Sequence, residues 1–190
     1  MDKARHFRKI SGSTQLEGTL RKAVKALAFY GIPHLVCGGF AVQERGYPRF
    51  TGDVDIIVPN VAVAREKLLI SGFKENVGSS MTVTDRVSKV EVDLLPGGGK
   101  VGRGPLTLPV PTQVSADPII LDLDGLIDIK LSSYMGNPTS RMKDGADVVE
   151  LIKANGLLRN FAVDAKVLAA YEKIWDDLYT KDAAEGLLGE

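Results

Sequence analysis

Cysteine and histidine, the usual ligands of zinc, are nearly missing from this sequence. Its 190 residues include one cysteine, Cys37, and two histidines, His6 and His34. A single cysteine excludes an internal disulfide and a cysteine-based zinc site, and two histidines argue against a histidine-based one. A chain without disulfides is typical of a compartment that keeps thiols reduced, so we expect a cytoplasmic protein.

Long apolar runs and an excess of charge of either sign are missing as well. No segment approaches the roughly 18 apolar residues of a membrane-spanning helix, and no apolar core of a signal peptide follows the charged start of the chain. Lys plus Arg and Asp plus Glu number 24 each, so the formal net charge of +0 gives no overall field that would attract nucleic acid or an anionic membrane. With 44% hydrophobic residues, the composition is that of an ordinary globular protein without a membrane partner.

The apolar patterns along the chain predict an α/β or α+β fold with a helical C-terminal half. The predicted elements are a helix at 14–30, a strand within 34–39, a helix at 40–47, a strand at 54–59, a helix at 60–71, a hairpin of 79–85 and 88–96, a strand at 119–123, and helices at 124–135, 139–154 and 163–180. We expect residues 1–123 to form the core with its N-terminal helix. Residues 124–190 then form a helical part that packs on this core.

Two aspartates in the segment RFTGDVDIIVPN, residues 49–60, raise the first question of chemistry. In a strand, residues i and i+2 point to the same face, so Asp53 and Asp55 project together. Two such carboxylates repel each other unless a cation lies between them or one is protonated. The pair therefore predicts either an acidic turn or half of a site for a hard divalent cation. A second pair, Asp122 and Asp124, precedes a helical pattern, and we expect Asp124 to cap that helix.

A third carboxylate, Asp93, lies in the stretch KVEVDLLPG. If this strand pairs with 54–58, Asp93 lies opposite the aspartate pair. Three carboxylates that face one point can hold two divalent ions about 3.5 to 4 Å apart, an arrangement used for in-line phosphoryl transfer. The sequence therefore predicts a catalytic metal site of Asp53, Asp55 and Asp93 for two Mg²⁺ ions, or Mn²⁺. Asp93 is also placed to accept the proton of an acceptor hydroxyl.

A glycine pair, Gly38 and Gly39, lies between the first predicted strand and the helix after it. Glycine lets the backbone approach a phosphate closely, and a helix N-terminus presents unpaired N–H groups. Neither a P-loop nor a dinucleotide-binding fingerprint is present. A Gly-Gly alone is a weak signal. Followed, after residues 40–52, by the acidic DVDI run, it predicts a site for a triphosphate.

The combined pattern GGFAV…RFTGDVDIIV resembles the signature of the polymerase-β-type nucleotidyltransferase superfamily. In that signature two small residues after a hydrophobic one are followed, across a short gap, by aspartate, hydrophobic, acid, hydrophobic. Asp93 in VEVDLL resembles the third acid of the family, and Arg49 and Thr51 match an Arg-x-Thr of many members. The family often has serine where Gly39 stands. The resemblance implies a nucleotidyltransferase fold, with a mixed sheet of about five strands flanked by helices.

A second stretch, LIDIKLSSYMGNPTSRMKDGADVVELI, resembles a motif of the small stand-alone members and abortive-infection toxins of this superfamily. By that match Lys130 is a helix lysine that contacts the nucleotide. A later basic and acidic cluster comprises Arg141, Lys143, Asp144 and Asp147, and the first three of these are candidate substrate contacts. A solvated lysine is the alternative interpretation of Lys130, and surface ion pairing at helical spacing is the alternative for the cluster.

The resemblance implies an enzyme that moves a nucleoside monophosphate from an NTP to an acceptor hydroxyl and releases pyrophosphate, with Mg²⁺ or Mn²⁺ as cofactor. It assigns nucleotide binding to Gly38, Gly39, Arg49, Thr51 and Lys130. The acceptor stays open among a tRNA 3′ end, a protein and a small molecule such as an aminoglycoside. The alternative is a catalytically silent nucleotide-binding member that acts as a regulatory protein or with an antitoxin partner.

Overall fold

The computed structural model describes residues 13–185, and six helices and five strands are formed in this part of the chain. The helices are α1 (Ser13–Phe29), α2 (Gly38–Glu44), α3 (Val61–Ile70), α4 (Leu123–Gly136), α5 (Met142–Asn155) and α6 (Leu168–Glu185). The strands are β1 (Leu35–Cys37), β2 (Asp53–Val58), β3 (Phe73–Asn76), β4 (Ser79–Asp85) and β5 (Glu91–Pro96). Within the described residues, no helix is both long enough and apolar enough to cross a membrane.

The five strands form one mixed sheet in the order β1-β2-β5-β4-β3. β2 and β5 are parallel, whereas the other three neighbouring pairs are antiparallel. The interior strand β2 is apolar from Ile56 to Val58 and fully buried there, as expected of a strand covered on both faces. The predicted mixed sheet of about five strands is confirmed, and so is the predicted hairpin of β4 and β5.

One face of the sheet packs against α1 and α3. Leu20, Val24 and Leu27 recur at helical spacing in α1 and are fully buried, because this stripe faces the sheet. With them, one continuous apolar cluster contains Val54, Ile56, Val58, Ala64, Leu68, Phe73, Val83, Val92 and Leu94. The predicted cap of α3 is confirmed, since the Asn60 side chain accepts a 3.1 Å hydrogen bond from the backbone N–H of Val63.

The chain divides into two compact units. The first unit comprises the residues up to Gly99 together with Thr107–Leu121, and it contains the whole sheet. The second unit comprises Lys100–Leu106 and the residues from Asp122 onward, with α4, α5 and α6. The buried apolar side chains of the helices in the second unit include Leu126, Ile127, Leu131, Val148, Leu151, Ile152 and Tyr171.

The predicted strand at 119–123 is wrong. Only Ile120 forms a bridge, which runs parallel to Val36. Two backbone hydrogen bonds form this bridge. Val36 N–H donates to Ile119 O at 2.8 Å, and Leu121 N–H donates to Val36 O at 2.9 Å. The apolar run therefore docks on β1 at one point and does not extend into a ladder, because α4 begins immediately after it.

The start of α4 explains this difference. Asp122 is its N-cap and accepts a 3.3 Å hydrogen bond from Gly125 N–H, so the predicted cap at Asp124 is wrong. Asp124 lies in the first turn, where a carboxylate faces the positive end of the helix dipole. Sequence patterns also fail to separate β3 from the strand-rich stretch around it, because its sequence FKEN has no apolar alternation.

Candidate functional site

The register of β2 and β5 places two of the three predicted aspartates next to each other on adjacent strands. Asp55 pairs with Asp93, and Asp53 pairs with Glu91. On the other side of β2, Cys37 at the end of β1 is the register partner of Asp55. The predicted pairing of the two acidic strands is thus confirmed, and it places two carboxylates directly side by side.

Strand alternation separates these carboxylates from the core. Val54 and Val92 are fully buried in the cluster beneath the sheet. Since neighbouring strand residues point to opposite faces, the three aspartates lie on the face away from α1 and α3. Asp53 is exposed, and Asp55 and Asp93 are half-buried, so none of the three residues belongs to the buried core.

Two threonine hydroxyls each hold one of these carboxylates. Thr51 Oγ1 donates to Asp53 Oδ1 at 2.9 Å, and Thr82 Oγ1 donates to Asp93 Oδ1 at 2.5 Å. The two threonines are only 8% and 7% exposed. Sequence reasoning missed Thr82, which is the register partner of Asp93 across the β4–β5 pair. The alternation of the hairpin was the signal that could have found it.

The glycine pair makes room for the same side chains. Gly38 has a φ of +62°, and a Cβ at this position would lie 1.7 Å from Asp55 Oδ2. A Cβ at Gly39 would lie 2.3 Å from Thr51 Oγ1. A serine at position 39, as in many members of the family that the sequence resembles, would collide with Thr51. Both glycines are therefore required by the packing of the acidic site itself, whereas their contact with phosphate stays a prediction.

Arg49 lies at the edge of this region. Gln43 Nε2 donates to the Arg49 carbonyl, which ties the loop before β2 back to α2. Arg49 Nη1 donates to Phe50 O at 2.9 Å, and it would lie 3.2 Å from a Cβ at Gly39. The structure thus places Arg49 beside the glycine pair, and its contact with a substrate stays a prediction.

The other predicted residues belong to the second unit, where they form an ion cluster. Lys130 Nζ lies 2.6 Å from Asp144 Oδ1 and 2.8 Å from Asp147 Oδ2. Ser133 Oγ donates to Asp144 Oδ2 at 2.7 Å, and Arg141 Nη1 lies 4.0 Å from the same oxygen. Lys130 is 8% exposed and Asp147 1%, so neither a solvated lysine nor surface pairing describes this cluster.

Ion pairing governs the protonation of this cluster. Burial alone lowers the pKa of Lys130, but the charges of Asp147 and Asp144 raise the pKa above its ordinary value. Burial raises the pKa of Asp144, but the charge of Lys130 and hydrogen bonds from Lys130 and Ser133 bring that pKa below its ordinary value. Lys143 is exposed. The substrate roles of these residues stay predictions.

The three aspartates have the donor chemistry of a magnesium site, but they are not gathered around one point. Among residues 13–185, no group of three or more His, Cys, Asp or Glu side chains is arranged to hold a metal ion. Oxygen ligands on neighbouring strands suit a hard cation. Residue types and backbone register thus fit Mg²⁺, and the side chains would still have to draw together.

Solved structures similar to this chain include two of the antibiotic-resistance factor ANT(2″)-Ia. Its solution structure matches with a TM-score of 0.49 and 13% identity over 91% of this chain and 97% of that one. A crystal structure of ANT(2″)-Ia in complex with adenylyl-2″-tobramycin gives a TM-score of 0.46 and 14% identity over 85% and 97%. JHP933 from Helicobacter pylori gives 0.38 and 15% over 95% and 99%.

No family model and no curated protein matches the chain. Its function therefore rests on the residues that the first unit gathers at one face of the sheet. Sequence reasoning named all of them except Thr82. They are Gly38, Gly39, Arg49, Thr51, Asp53, Asp55, Thr82 and Asp93.

Proposed function

We propose that this chain is a metal-dependent nucleotidyltransferase of the polymerase-β type. It moves a nucleoside monophosphate from an NTP to an acceptor hydroxyl and releases pyrophosphate. The observation that carries the proposal is the parallel register of β2 and β5. It pairs Asp55 of β2, the strand that also carries Asp53, with Asp93 of β5. The glycine pair at the end of β1 lies against Asp55, so the two halves of the sequence signature meet in space.

Asp53, Asp55 and Asp93 are the residues that would hold Mg²⁺ or Mn²⁺. A divalent ion bound there would lower the pKa of the acceptor hydroxyl and neutralise charge on the phosphates. Hard cations of this kind take carboxylate oxygens together with water and phosphate oxygens. Because Asp55 and Asp93 are adjacent like charges, a bound cation should also stabilise the fold.

The reaction is an in-line displacement at the α-phosphorus. The acceptor oxygen forms a bond to this phosphorus, the bond to the oxygen that bridges to the β-phosphate breaks, and pyrophosphate leaves with that oxygen. Asp93 accepts the proton of the acceptor hydroxyl through Oδ2, the oxygen that does not accept from Thr82. Asp53 and Asp55 bind and orient the reacting groups.

The triphosphate is held by backbone and cationic groups. Gly38 and Gly39 present backbone without side chains to the β- and γ-phosphates, and Arg49 lies beside them. Its guanidinium neutralises charge on the departing pyrophosphate. Lys130 is the candidate of the second unit for the same task, with Arg141, Lys143 and Asp144 as further substrate contacts.

The acceptor is an RNA end such as that of tRNA, a protein hydroxyl or a small molecule such as an aminoglycoside. A formal net charge of +0 disfavours a large nucleic-acid footprint. A single RNA end needs only a few contacts, and a small molecule needs fewer. The panel of acceptors in the assay therefore spans all three classes.

The test is transfer of label from α-³²P-NTPs in the presence of Mg²⁺ to tRNA, proteins and aminoglycosides. We expect label to move to one acceptor class in the wild-type chain and not in Asp55→Asn. The control is Asp117→Asn, a neutralisation at an exposed residue outside the carboxylate ladder, which should transfer like the wild type. In parallel, Mg²⁺ with an NTP should raise the Tm of the wild type and of Asp117→Asn only.

Two outcomes separate the alternatives. If NTP and Mg²⁺ raise the Tm but label reaches no acceptor, the catalytically silent nucleotide-binding member is favoured. If neither ligand changes the Tm and no label moves, the nucleotidyltransferase proposal is wrong. The aspartates would then be structural groups of an α/β scaffold.

A further inference from the structure

A chain of hydrogen bonds in the β4–β5 hairpin ends on one carboxylate of the proposed metal site. The backbone N–H of Met81 donates to Ser79 Oγ at 3.1 Å. Ser79 Oγ lies 2.9 Å from Thr82 Oγ1, which lies 2.5 Å from Asp93 Oδ1. An ionised carboxylate can only accept, so the single Thr82 proton goes to Asp93, and Ser79 donates to Thr82. Each hydroxyl thus has one donor and one acceptor role.

We propose that Thr82 is a positioning residue for Asp93, and this inference rests on the proposed function. Thr82 is 7% exposed and is fixed on β4 as the register partner of Asp93. Its hydroxyl engages Oδ1 from the β4 side of β5. The other neighbour of β5 is β2, which carries Asp53 and Asp55. Oδ2 is therefore the oxygen of Asp93 that is left for the cation and for the acceptor proton.

The physical reason is pre-organisation. Asp93 and Asp55 are adjacent like charges, and their repulsion would otherwise turn the Asp93 carboxylate away from Asp55. A short hydrogen bond to a charged acceptor is stronger than a neutral one, and linked hydrogen bonds polarise one another. Groups that orient metal-binding side chains in this way typically change metal affinity or activity by about 10- to 100-fold when they are removed.

Thr51, in the loop before β2, gives a parallel case for Asp53. It is 8% exposed, and its hydroxyl holds Asp53 Oδ1 at 2.9 Å. Thr51 also fills the space beside Gly39, so replacing it would disturb the glycine pair as well as Asp53. Thr82 is the cleaner position for a test, because its hydroxyl forms hydrogen bonds with Ser79 and Asp93 and does not lie against the glycine pair as Thr51 does.

The experiment compares Thr82→Val, Thr82→Ser and Thr84→Val in the full chain. Valine keeps the shape of threonine and removes the hydroxyl, whereas serine keeps the hydroxyl. Thr84 lies two residues on, on the same face of β4, is 9% exposed and pairs with Glu91, so Thr84→Val is the matched control. Mn²⁺ binding is measured by electron paramagnetic resonance, with and without a non-hydrolysable NTP analogue, and label transfer gives kcat and KM.

We expect Thr82→Val to weaken Mn²⁺ binding and to lower kcat by about 10- to 100-fold. KM for the NTP at saturating metal should not change, because Thr82 does not touch the nucleotide. Thr82→Ser and Thr84→Val should both behave like the wild type. A purely structural role of Thr82 would instead lower the Tm and leave the Mn²⁺ affinity of the folded fraction unchanged.

Each other outcome has a defined meaning. If wild type binds Mn²⁺ and Thr82→Val binds it equally well or more tightly, the positioning role is wrong while the proposed function stands. If wild type binds no Mn²⁺ even with the analogue, the proposed function itself fails. If Thr82→Val does not fold, Ser79→Ala replaces it, since this change removes the donor to Thr82. Unchanged Mn²⁺ affinity in Ser79→Ala then overturns the inference.

Discussion

Gly38 and the carboxylate of Asp55 share one small volume beside the end of β1. The backbone at Gly38 is left-handed, with a φ of +62°, and Asp55 Oδ2 occupies the space where a side chain would begin. The sequence suggested a phosphate contact for this glycine, because it follows a strand and precedes a helix. The structure gives a second reason for glycine, since any other residue would push Asp55 out of line with Asp93.

Replacing Gly38 by alanine should therefore affect stability and metal binding together. A left-handed backbone costs an alanine about 1–2 kcal/mol, and the overlap with Asp55 adds to that loss. We expect Gly38→Ala to lose more than this amount in the free energy of unfolding, measured by urea titration. The rise in Tm with Mn²⁺ should disappear at the same time.

Gly31→Ala is the matched control for this change. Gly31 has nearly the same φ, +66°, and a Cβ there would meet no atom within 4 Å. It should lose only the backbone cost of about 1–2 kcal/mol and keep the rise in Tm with Mn²⁺. Equal losses in both variants, with metal binding intact in each, would contradict the packing role of Gly38.

At the scale of elements, one buried lysine connects α4 and α5. Lys130 extends from α4 to Asp144 and Asp147 of α5, at 2.6 and 2.8 Å. All three side chains are largely removed from water, so removing one partner leaves an uncompensated charge in a poorly solvated place. The ion cluster therefore fixes the packing of the two helices, independently of any contact that Lys130 makes with a nucleotide.

Lys130→Met should strongly destabilise the second unit. Breaking a buried ion pair from one side typically costs about 3–5 kcal/mol, and methionine keeps most of the apolar contacts of the lysine chain. We expect a loss of this size, measured by urea titration followed by circular dichroism without ligands. Adding Asp147→Asn to this variant should recover part of the loss, because it removes one of the stranded charges.

Lys153→Met on α5 gives the comparison at the surface. Lys153 pairs with Glu150 at 3.3 Å, and its side chain is 49% exposed. Exposed pairs of this kind contribute less than about 1 kcal/mol. A loss in Lys130→Met that is as small as that in Lys153→Met would show that the cluster is not required for the packing of α4 on α5.

At the scale of the whole molecule, positive and negative charges are equal in number, but two buried carboxylates, Asp85 and Asp144, have lowered pKa values. Asp85 is 3% exposed and accepts from Val87 N–H at 2.7 Å and from Lys22 Nζ at 3.1 Å. Burial raises the pKa of Asp85, but these two hydrogen bonds and the charge of Lys22 lower it below its ordinary value. Asp144 in the second unit has a lowered pKa as well.

These two carboxylates predict a loss of stability in acid. An unfolded aspartate titrates near pH ~3.9, and the folded pKa values of Asp85 and Asp144 lie below that value. Their contribution is complete above the unfolded pKa and is lost as the pH falls through the folded pKa. We expect the free energy of unfolding to stay nearly constant from about pH 7 to 5 and to fall below about pH 4.

Asp85→Asn tests the assignment of this pH dependence. At pH 7 it should cost about 1–3 kcal/mol, because Lys22 loses a charged partner. Below pH 4 its stability should decline less than that of the wild type, since one of the responsible carboxylates is gone. Asp117→Asn, at an exposed position, should follow the wild-type curve. Parallel curves for wild type and Asp85→Asn would show that Asp85 does not contribute.

Local patterns were sufficient to predict most of the elements and the acids. Helical spacing located α1, Asn60 located the start of α3, and the alternation of DVDI and VEVD placed their aspartates on one strand face. The failures at β3 and at 119–123 have a common reason. A polar edge strand and a single docking bridge are defined by partners distant in sequence, and neither leaves a periodic signal.

The sequence by itself determined the chemistry of this protein: which acids, glycines and basic residues it has, and at what spacing. Only the tertiary structure decided which of them share a neighbourhood. It put Thr82 on Asp93, Asp55 over Gly38, and Lys130 between two carboxylates. The physical reason is that charge and hydrogen bonding act over a few ångströms. Strand register and helix packing set these distances between residues that are remote along the chain.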